Sequence, residues 1–369
     1  MVEWSDKSKY NAFNSYKGLA YIAHYRAITD WLQGKGNLLP PIECSLDTAH
    51  TCNFSCQHCN SGWFLRHPII PQERRLMPRE HLERLIDFLA DWGVKGICLG
   101  GGGEPLMNKA NWGIGPYIIS RGMQVAMETN GSLIDEAMAE QIMLFRWVGF
   151  SIDAGDSTTF AKVHRVDMFE RVIKNLKFLV EEKHKTGSKV DIAYKFLVRP
   201  DNVDSIYPAC KLAKKIGVND FHVRPADLER TDVPKFELDY DIPKVLKIFD
   251  ACHGKETKGF RVFTVIHKFG EGFRVKHNFS KCRAAPLLIQ CSADGNVYIC
   301  PDRKIEGRYR LGAHYPDPEE ILNFWGSDRH RALLESIDVD RECSRCTTGE
   351  YQRQIEEVVL CDNMCLAFP

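Results

Sequence analysis

The sequence predicts an α/β fold built around a parallel sheet. Between residues 42 and 223, short apolar runs typical of buried strands alternate with longer segments of helical periodicity, and this alternation indicates successive βα units. The hydrophobic content of 44% is enough for a sizeable core. Six such units fit a partial (β/α)6 barrel. In barrels the ligand-binding side chains cluster at the carboxyl ends of the strands.

The predicted elements follow one another along the chain. Residues 1–40 form an N-terminal segment rich in aromatic and basic side chains, with helical periodicity near 16–32. The predicted strands are 42–46, 96–99, 124–127, 147–152, 190–198 and 220–223, and the helices between them include 79–92, 134–144, 169–185 and 203–216. Glycine readily adopts the left-handed backbone that ends helices, and three of these helices are followed by one: Gly93, Gly187 and Gly217.

These patterns divide the chain into four segments. They are the N-terminal helical segment 1–40, the barrel 41–240, a linker 241–276 and a C-terminal domain 277–369. The linker has helical and strand-like portions, so it can also be the end of the barrel. In the C-terminal domain, the turn sequence 293–296 lies between two apolar runs and predicts a β-hairpin. Further on, Asp317-Pro318 predicts the start of a helix.

Charge and composition exclude several functional classes. Lysine plus arginine and aspartate plus glutamate number 49 each, so the balance does not indicate binding to nucleic acid or to an acidic membrane surface. No apolar run reaches the length of a membrane span, and the first residues lack the apolar core of a secretory signal. Without such a signal, the 14 cysteines indicate free thiols or metal ligands rather than disulfides. We therefore predict a cytoplasmic protein.

The most distinctive stretch is a loop with three cysteines, Cys52, Cys56 and Cys59, shortly after the first predicted strand. Three thiolates on a short loop can bind three irons of a cubane [4Fe–4S] cluster and leave the fourth iron open, whereas ferredoxin clusters use four cysteines. The alternatives are a structural zinc loop or buried thiols. Zinc sites usually have paired two-residue spacings and a fourth ligand, and His58 lies too close to two of the cysteines to complete a tetrahedron easily.

The C-x3-C-x2-C spacing after a first strand resembles that of the radical S-adenosylmethionine (SAM) enzymes. The resemblance implies that SAM chelates the open iron through its amino and carboxylate groups. It also implies that one electron from the cluster cleaves SAM to a 5′-deoxyadenosyl radical, while the protein places the reactants and excludes water. A flavodoxin- or ferredoxin-type reductant is the expected source of that electron.

Residues after the later strands also resemble motifs of this family. The glycine-rich run before Pro105 resembles the GGEP motif, and the segment after the third strand resembles the T-N-G motif. The resemblance implies SAM contacts for Gly102, Gly103, Glu104, Glu128, Asn130, Ser151, Asp153, Lys195, Arg199 and Asn202, with His58 stacking near the adenine rather than binding metal. From the residues alone, each also fits a turn, a strand end or a helix cap.

A second cysteine group lies in the C-terminal domain. Cys282 and Cys300 flank the predicted hairpin, and Cys343 and Cys346 form a C-x2-C pair downstream, so four thiolates can hold either zinc or a closed iron–sulfur cluster. The spacing resembles the auxiliary-cluster segment of SPASM and twitch radical SAM enzymes. The four-cysteine twitch form implies one auxiliary [4Fe–4S] cluster. We interpret the other cysteines as packed thiols: Cys44, Cys98, Cys210, Cys252, Cys291, Cys361 and Cys365. For the last two, a binding site is the alternative.

The resemblance implies an enzyme class and leaves two substrate classes. SPASM and twitch enzymes modify peptides, or oxidise and epimerise small polar molecules. The residues before Ile42 are too few for the peptide-recognition domain that peptide modifiers commonly carry. We therefore predict an oxidoreductase that abstracts hydrogen from a sugar or aminocyclitol, a small-molecule substrate, while the auxiliary cluster accepts an electron. Arg199 and Arg224, at strand ends, are the predicted substrate-facing residues, and arginine stays protonated, which suits an anchor. The alternatives are a peptide maturase and a non-catalytic, zinc-stabilised binding protein.

Overall fold

A computed structural model describes residues 15–66, 69–226, 240–264, 277–343 and 345–360. Its strands are β1 (Glu43–Asp47), β2 (Gly96–Leu99), β3 (Gln124–Thr129), β4 (Trp147–Ser151), β5 (Asp191–Val198), β6 (Asp220–Pro225), β7 (Arg261–Thr264), β8 (Leu288–Ser292), β9 (Asn296–Tyr298) and β10 (Arg310–Ala313). Its α-helices are α1 (Ile22–Leu32), α2 (Gly62–Leu65), α3 (Arg79–Trp92), α4 (Ile114–Ser120), α5 (Glu136–Ile142), α6 (Ser157–His164), α7 (Phe169–Thr186), α8 (Ile206–Ile216), α9 (Ile242–His253), α10 (Ile321–Phe324), α11 (Asp328–Glu335), α12 (Val339–Glu342) and α13 (Gly349–Gln354). Among these helices, none combines the length and the apolar character needed to cross a lipid bilayer.

Within the described residues, the strands form one sheet in the order β10-β9-β8-β1-β2-β3-β4-β5-β6-β7. Every neighbouring pair from β1 to β7 is parallel. Parallel neighbours require crossovers, which helices packed on the sheet provide. This arrangement confirms the predicted α/β class, with a partial barrel and a small C-terminal domain. The carboxyl ends of β1 to β6 lie along one rim, and the predicted site residues lie on or directly after these ends.

Apolar spacing explains how the helices cover the sheet. Helix α3 buries one face completely, through Leu82, Leu85, Ile86 and Leu89, and this is the spacing of an amphipathic helix. The predicted helix ends are also confirmed. The left-handed backbone, with φ of 113°, 67° and 94°, occurs at Gly93, Gly187 and Gly217.

The barrel part of the sheet has one strand more than the six predicted. Helix α9 begins after Asp241, whose carboxylate accepts a hydrogen bond from the amide of Lys244, and β7 then pairs in parallel with β6. Residues 242–264, within the segment that the sequence analysis interpreted as a linker or as the end of the barrel, therefore contribute one more helix and strand to the barrel. The strand was hard to recognise because its apolar centre is only Val262 and Phe263, with Arg261 and Thr264 at its ends.

The predicted hairpin is present as the antiparallel strands β8 and β9. The turn between them contains Gly295, whose φ of 86° suits glycine. Strand β8 also pairs in parallel with β1, from Glu43 opposite Leu288 to Asp47 opposite Ser292. The C-terminal domain therefore extends the barrel sheet, and β10 adds an antiparallel strand at its edge.

The N-terminal helix α1 packs against the C-terminal domain. The indole of Trp31 is buried and donates a hydrogen bond to the carbonyl of Gly326 at 2.6 Å. Arg331 donates to the carbonyl of Trp31 at 3.0 Å, and the hydroxyl of Tyr25 donates to the side chain of Gln354 at 2.8 Å. Helix α1 is thus hydrogen-bonded to the domain that carries the second cysteine group and stabilises it.

Candidate functional site

The three-cysteine loop follows β1 and lies at the rim of the barrel. Cys52, Cys56 and Cys59 are close enough for their charges to interact, because each of the first two thiols is affected by the ionisation of Cys59. Burial raises the pKa of the Cys52 thiol to about 11, and burial and the neighbouring thiols raise that of Cys56. Three converging thiols that resist ionisation in the metal-free chain are suited to metal, which stabilises thiolates.

Two hydrogen bonds orient these thiols. The amide of Phe54 donates to the sulfur of Cys52 at 3.4 Å. Nδ1 of His164 lies 2.9 Å from the sulfur of Cys56, while its Nε2 donates to the carbonyl of Ile152 at 2.8 Å. Burial lowers the pKa of His164 to about 4, so the ring is neutral in the metal-free protein. Sequence reasoning missed His164, because it ends α6, 108 residues after Cys56, and belongs to no recognisable motif.

The glycine run after β2 packs directly on the cysteine loop. A Cβ at Gly103 would lie 2.1 Å from the carbonyl oxygen of Thr51, and a Cβ at Gly102 would lie 2.6 Å from the ring of His50. The next amide, that of Glu104, donates to the carbonyl of Thr51 at 2.9 Å. Glycine is therefore required here because two backbone segments touch, and the run fixes the loop that carries Cys52.

Glu104 ties the end of β2 to the end of β3. Its carboxylate accepts hydrogen bonds from the Thr129 hydroxyl at 2.7 Å, from the amide of Asn130 at 2.7 Å and from the amide of Leu106 at 3.2 Å. Burial nevertheless raises the pKa of Glu104 to about 7. Near neutral pH the charge of Glu104 therefore depends on small changes around it.

The segment after β3 connects back to the cysteine loop through side-chain amides. The Asn130 amide donates to Asn53 at 2.8 Å, and Asn53 donates to the hydroxyl of Ser132 at 2.9 Å. Asn130, which the sequence analysis expected to contact SAM, therefore lies beside the cysteine loop.

Asp153, after β4, is a buried hub of the site. Its carboxylate lies 3.0 Å from Nε2 of His58 and accepts the amide of Leu197 at 2.6 Å. Its carbonyl accepts the side-chain amide of Asn202 at 3.0 Å. The ring of His58 is buried and fixed by this contact. The charge of Asp153 acts on the thiol of Cys56, so Asp153 and His58 lie beside the cysteine loop. Ser151, at the end of β4, is half-buried.

The two predicted arginines have different surroundings. Arg199 is only 2% exposed. It forms a double contact with Asp201, at 2.8 and 2.9 Å, and donates to Gln57 in the cysteine loop at 3.2 Å. Arg224 is half-buried on β6, and its charge lowers the pKa of Glu128. Only Arg224 thus combines partial exposure with a position among the charges inside the barrel.

Charged side chains line the barrel interior. Lys195 on β5 forms an ion pair with Glu128 on β3 and lies 5.1 Å from the ring centre of Trp147. The charge of Lys195 lowers the pKa of Glu128 to about 2, with smaller contributions from Arg224 and Arg345, although burial acts in the opposite direction. Arg345 lies between Cys343 and Cys346, pairs with Asp302 of the C-terminal domain at 2.5 Å, and its charge also acts on Glu128.

The four C-terminal cysteines meet at one cavity. The lining includes Cys282, Cys300, Cys343 and Cys346. Burial raises the pKa of Cys343 to about 11. The side chain of Gln352, which is 1% exposed, donates to the sulfur of Cys282 at 3.6 Å and accepts the amides of Arg283 and Ala284. Gln352 is a second residue that sequence reasoning missed, since it is 70 residues from Cys282.

The residues fit a polar cofactor at the first site and a cluster at each site. Around the three-cysteine loop, buried polar atoms lack a hydrogen-bond partner among the described residues, namely Thr51 Oγ1, His58 Nδ1 and Arg199 Nη1. In the same described part of the chain, no three His, Cys, Asp or Glu side chains are arranged around a single metal ion. Each thiolate of a cubane binds a separate iron, so thiols that surround a cavity suit a cluster.

The remaining cysteines are mostly packed as predicted. Cys44, Cys210, Cys252 and Cys291 are completely buried. Cys98 differs from the prediction, because it is half-buried on β2 and interacts with the charge of Glu128 in the barrel interior. Cys361 and Cys365 lie outside the described residues.

The sequence was compared with known families and with curated proteins. Residues 47–194 match the family model described as the Radical SAM superfamily. The chain is 24% identical over 349 residues to the AdoMet-dependent heme synthase of Methanosarcina barkeri, and the alignment covers 84% of this chain and 93% of that protein. It is 24% identical over 186 residues to a probable GTP 3′,8-cyclase of Saccharolobus islandicus, covering 50% of this chain and 56% of the cyclase.

The fold was compared with solved structures. SuiB of Streptococcus suis, bound to the precursor peptide SuiA, superposes with a TM-score of 0.62 at 16% identity, covering 89% of this chain and 73% of SuiB. Native anSMEcpe with bound AdoMet and the Cp18Cys peptide gives a TM-score of 0.59 at 18% identity, covering 84% of this chain and 87% of that chain. At these identities the likeness shows a common fold.

Proposed function

This chain belongs to the radical SAM superfamily through its residues 47–194, and from that premise we propose that it is a redox enzyme acting on a small polar substrate of the sugar or aminocyclitol type. Membership implies SAM and a [4Fe–4S] cluster as cofactors. The differing names of the relatives, a heme synthase and a GTP cyclase, support the enzyme class without indicating one substrate.

We assign the first cluster to Cys52, Cys56 and Cys59 and an auxiliary cluster to Cys282, Cys300, Cys343 and Cys346. When bound, the first cluster with SAM supplies a 5′-deoxyadenosyl radical for hydrogen abstraction, and the auxiliary cluster supplies an acceptor for the electron released. The amide of Phe54 donates a hydrogen bond to the sulfur of Cys52 and helps to hold it in place. The side chain of Gln352 does the same for Cys282. The ring of His164 packs beside the sulfur of Cys56.

The residues at the strand ends bind and orient SAM in this proposal. Glu104 offers a buried carboxylate beside the cysteine loop, where it can accept a hydrogen bond from the amino group of SAM. Arg199, buried against Gln57, offers a guanidinium to a carboxylate. Asp153 fixes the ring of His58, and tight packing of the glycine run on Thr51 leaves little room for water.

The proposal depends on the charged side chains inside the barrel. Glu128, Lys195 and Arg224 come from three strands, and Arg345 comes from the second cysteine group, yet their charges act on one another. A polar molecule with several hydroxyl, amino or carboxylate groups can pair with these charged side chains. An apolar molecule would displace water from them without replacing its hydrogen bonds, which is unfavourable. Arg224 is the proposed substrate anchor, and this role is separate from the SAM contacts.

A peptide substrate is the second candidate. The structures of SuiB and anSMEcpe are described with peptides bound, and they have the same fold as this chain. Under this alternative, the enzyme class and both cysteine sites stay the same, and the barrel interior receives a peptide side chain.

The proposal is tested with reconstituted protein under anaerobic conditions, given SAM and dithionite. We expect 5′-deoxyadenosine to form slowly without substrate and several-fold faster with a compound from a panel of sugars and aminocyclitols. Arg224→Met should lose this stimulation. The control Arg146→Met should keep it, because Arg146 precedes β4 at the opposite rim and pairs with Asp191.

Two other results would replace the proposal. Stimulation by peptides alone, together with binding of a leader peptide, would indicate a peptide maturase. Protein that contains zinc and no sulfide, and that forms no 5′-deoxyadenosine, would indicate a non-catalytic binding protein.

A further inference from the structure

A buried ion pair joins the C-terminal domain to the end of β1. The ammonium of Lys304 lies 2.8 Å from a carboxylate oxygen of Asp47, and their side chains are 8% and 0% exposed. The contact is an ion pair rather than a well-aligned hydrogen bond, since neither oxygen of Asp47 has a hydrogen-bond partner within the described chain. His50 approaches the same carboxylate at 3.9 Å. Neither Lys304 nor Asp47 belongs to a motif recognised in the sequence.

The pair lies against both parts of the proposed SAM site. A Cβ at Gly101 would lie 2.8 Å from Asp47 and 2.9 Å from the ammonium of Lys304, so the pair touches the glycine run. The carbonyl of Gly101 accepts a hydrogen bond from the hydroxyl of Ser61, two residues after Cys59, at 3.0 Å. Gly101 therefore lies between the pair and the three-cysteine loop, and it touches both.

The turn that carries Lys304 has a strained backbone. Lys304 is four residues after Cys300, and the next residue, Ile305, has φ of +67°. This left-handed conformation is rare for a β-branched residue, and such strain persists only where the surroundings enforce it. The turn is held by the amide of Arg303, which donates to the carbonyl of Cys300 at 3.2 Å, and by the amide of Tyr309, which donates to that of Glu306 at 3.0 Å.

Stability alone does not explain a buried lysine at this place. Removing two charges from water is unfavourable, and an apolar pair of similar volume is often at least as stable. The charge itself is therefore the property to explain. A cation next to a redox centre favours the state with one more electron, because reduction adds a negative charge to the centre.

We propose that Lys304 is a positioning residue whose charge makes the cluster at Cys52, Cys56 and Cys59 easier to reduce, and that Asp47 holds the ammonium in place and offsets part of its effect. The inference rests on the proposed function, since it assumes a [4Fe–4S] cluster at these cysteines. It also gives the auxiliary-cluster turn a direct role at the first cluster, because the same turn carries Cys300 and Lys304.

The test is a charge cycle on the reconstituted full chain. Lys304→Met, Asp47→Asn and the double variant are compared with wild type in anaerobic redox titrations followed by electron paramagnetic resonance. The first cluster is identified as the signal component that changes when SAM is added. The electron comes from dithionite, and each titrated step adds one electron to one cluster.

Opposite shifts are the expected result. Lys304→Met should lower the ratio of reduced to oxidised cluster at a fixed potential about tenfold, which is ~59 mV for one electron. Asp47→Asn should raise this ratio, the double variant should return towards wild type, and Lys304→Arg should behave like wild type. Shifts in the same direction for both single variants, or no shift in either, would overturn the proposal, because a purely structural role predicts no change of sign.

Two further outcomes keep the test decisive. If Lys304→Met does not load a cluster, the direction of the shift in Asp47→Asn decides, and a lower ratio or none overturns the proposal. If wild-type protein itself assembles no SAM-responsive cluster, the proposed function fails and this inference fails with it. A SAM-responsive cluster with unchanged potentials contradicts the role of Lys304 only.

Discussion

At the scale of single residues, Glu104 has the most informative ionisation. Burial raises its pKa to about 7 although three donors favour its charged form. The ionised fraction therefore grows as the pH rises through 7, and the ionised carboxylate accepts hydrogen bonds from an amino group more strongly than the neutral acid does.

We accordingly expect SAM to bind more tightly at pH 8 than at pH 6. Below the pKa of Glu104, the affinity for SAM should fall by up to about tenfold for each pH unit. Anaerobic calorimetry on cluster-loaded protein measures this. Glu104→Gln should bind SAM weakly and show little pH dependence, while the exposed Glu73→Gln should follow wild type. A Glu104→Gln variant with wild-type affinity at both pH values would remove Glu104 from the SAM site.

Gly103 is the second residue with a sharp prediction. A methyl group there would lie 2.1 Å from the carbonyl oxygen of Thr51, and backbone atoms cannot move aside as a flexible side chain can. Gly103→Ala should therefore destabilise the protein by at least about 1–3 kcal/mol and reduce iron incorporation. Thermal unfolding and iron analysis check both effects.

The matched control is Gly307→Ala, because a Cβ at Gly307 would meet no atom within 4 Å. Equal stability and equal iron content in the two variants would show that the glycine run does not need its close contact with the cysteine loop.

Single residues also show what could be predicted from the sequence. The three loop cysteines, the glycine run and Asn130 belong to short local motifs, and the structure brings them together at one rim. His164, Gln352 and Lys304 have no local signal, because each acquires its role from a contact made by the folded chain. Arg199 was predicted as a substrate-facing or SAM-binding residue, and its burial against Gln57 and Asp201 favours the second role.

At the scale of elements, a histidine pair joins helix α3 to the C-terminal domain. Nε2 of His81 lies 2.8 Å from Nδ1 of His314, and Nε2 of His314 donates to the carbonyl of Ser292 at 2.9 Å. Burial lowers the pKa of each ring to about 4. Both rings are therefore neutral in the folded protein at neutral pH.

This pair makes stability depend on pH. The unfolded chain binds protons at these rings below about pH 6.5, whereas the folded chain binds them only near pH 4. The free energy of unfolding is therefore highest above pH 6.5. It decreases as the pH falls towards 4, by roughly 1.4 kcal/mol per pH unit for each ring. Urea unfolding of the anaerobic protein between pH 7.5 and 5.5 should show the loss. His81→Gln should reduce this pH dependence, and the exposed His184→Gln should not. An unchanged slope in His81→Gln would contradict the argument.

Element boundaries followed from local patterns, but the sheet order did not. Helix α3 was predicted with its observed ends, because its apolar face and Gly93 are strong signals. The pairing of β8 with β1 was not foreseen, since a parallel contact between distant strands leaves no trace in either strand's own sequence. The seventh strand was recognised as a strand-like portion but was not counted among the barrel strands, because β7 is short and its apolar centre is brief.

At the scale of the whole molecule, one sheet connects the two cysteine sites. Strand β1 leads into the first cysteine loop, and its neighbour β8 begins the hairpin that leads to Cys300. Helix α1 braces the outer side of the second site through Trp31. Arg345 and Lys304 then extend from the C-terminal domain towards the barrel. The two sites are therefore joined by one continuous sheet, which suits a reaction that uses both.

The central claim is that the iron cluster at Cys52, Cys56 and Cys59 has an open iron for SAM. The most direct measurement is electron paramagnetic resonance of dithionite-reduced, reconstituted protein with and without SAM, on wild type and on Cys343→Ala, in which the auxiliary site is disrupted. We predict that SAM changes the spectrum of the first cluster in both proteins and that Cys56→Ala abolishes the change. A cluster spectrum that is identical with and without SAM in wild type would contradict the claim.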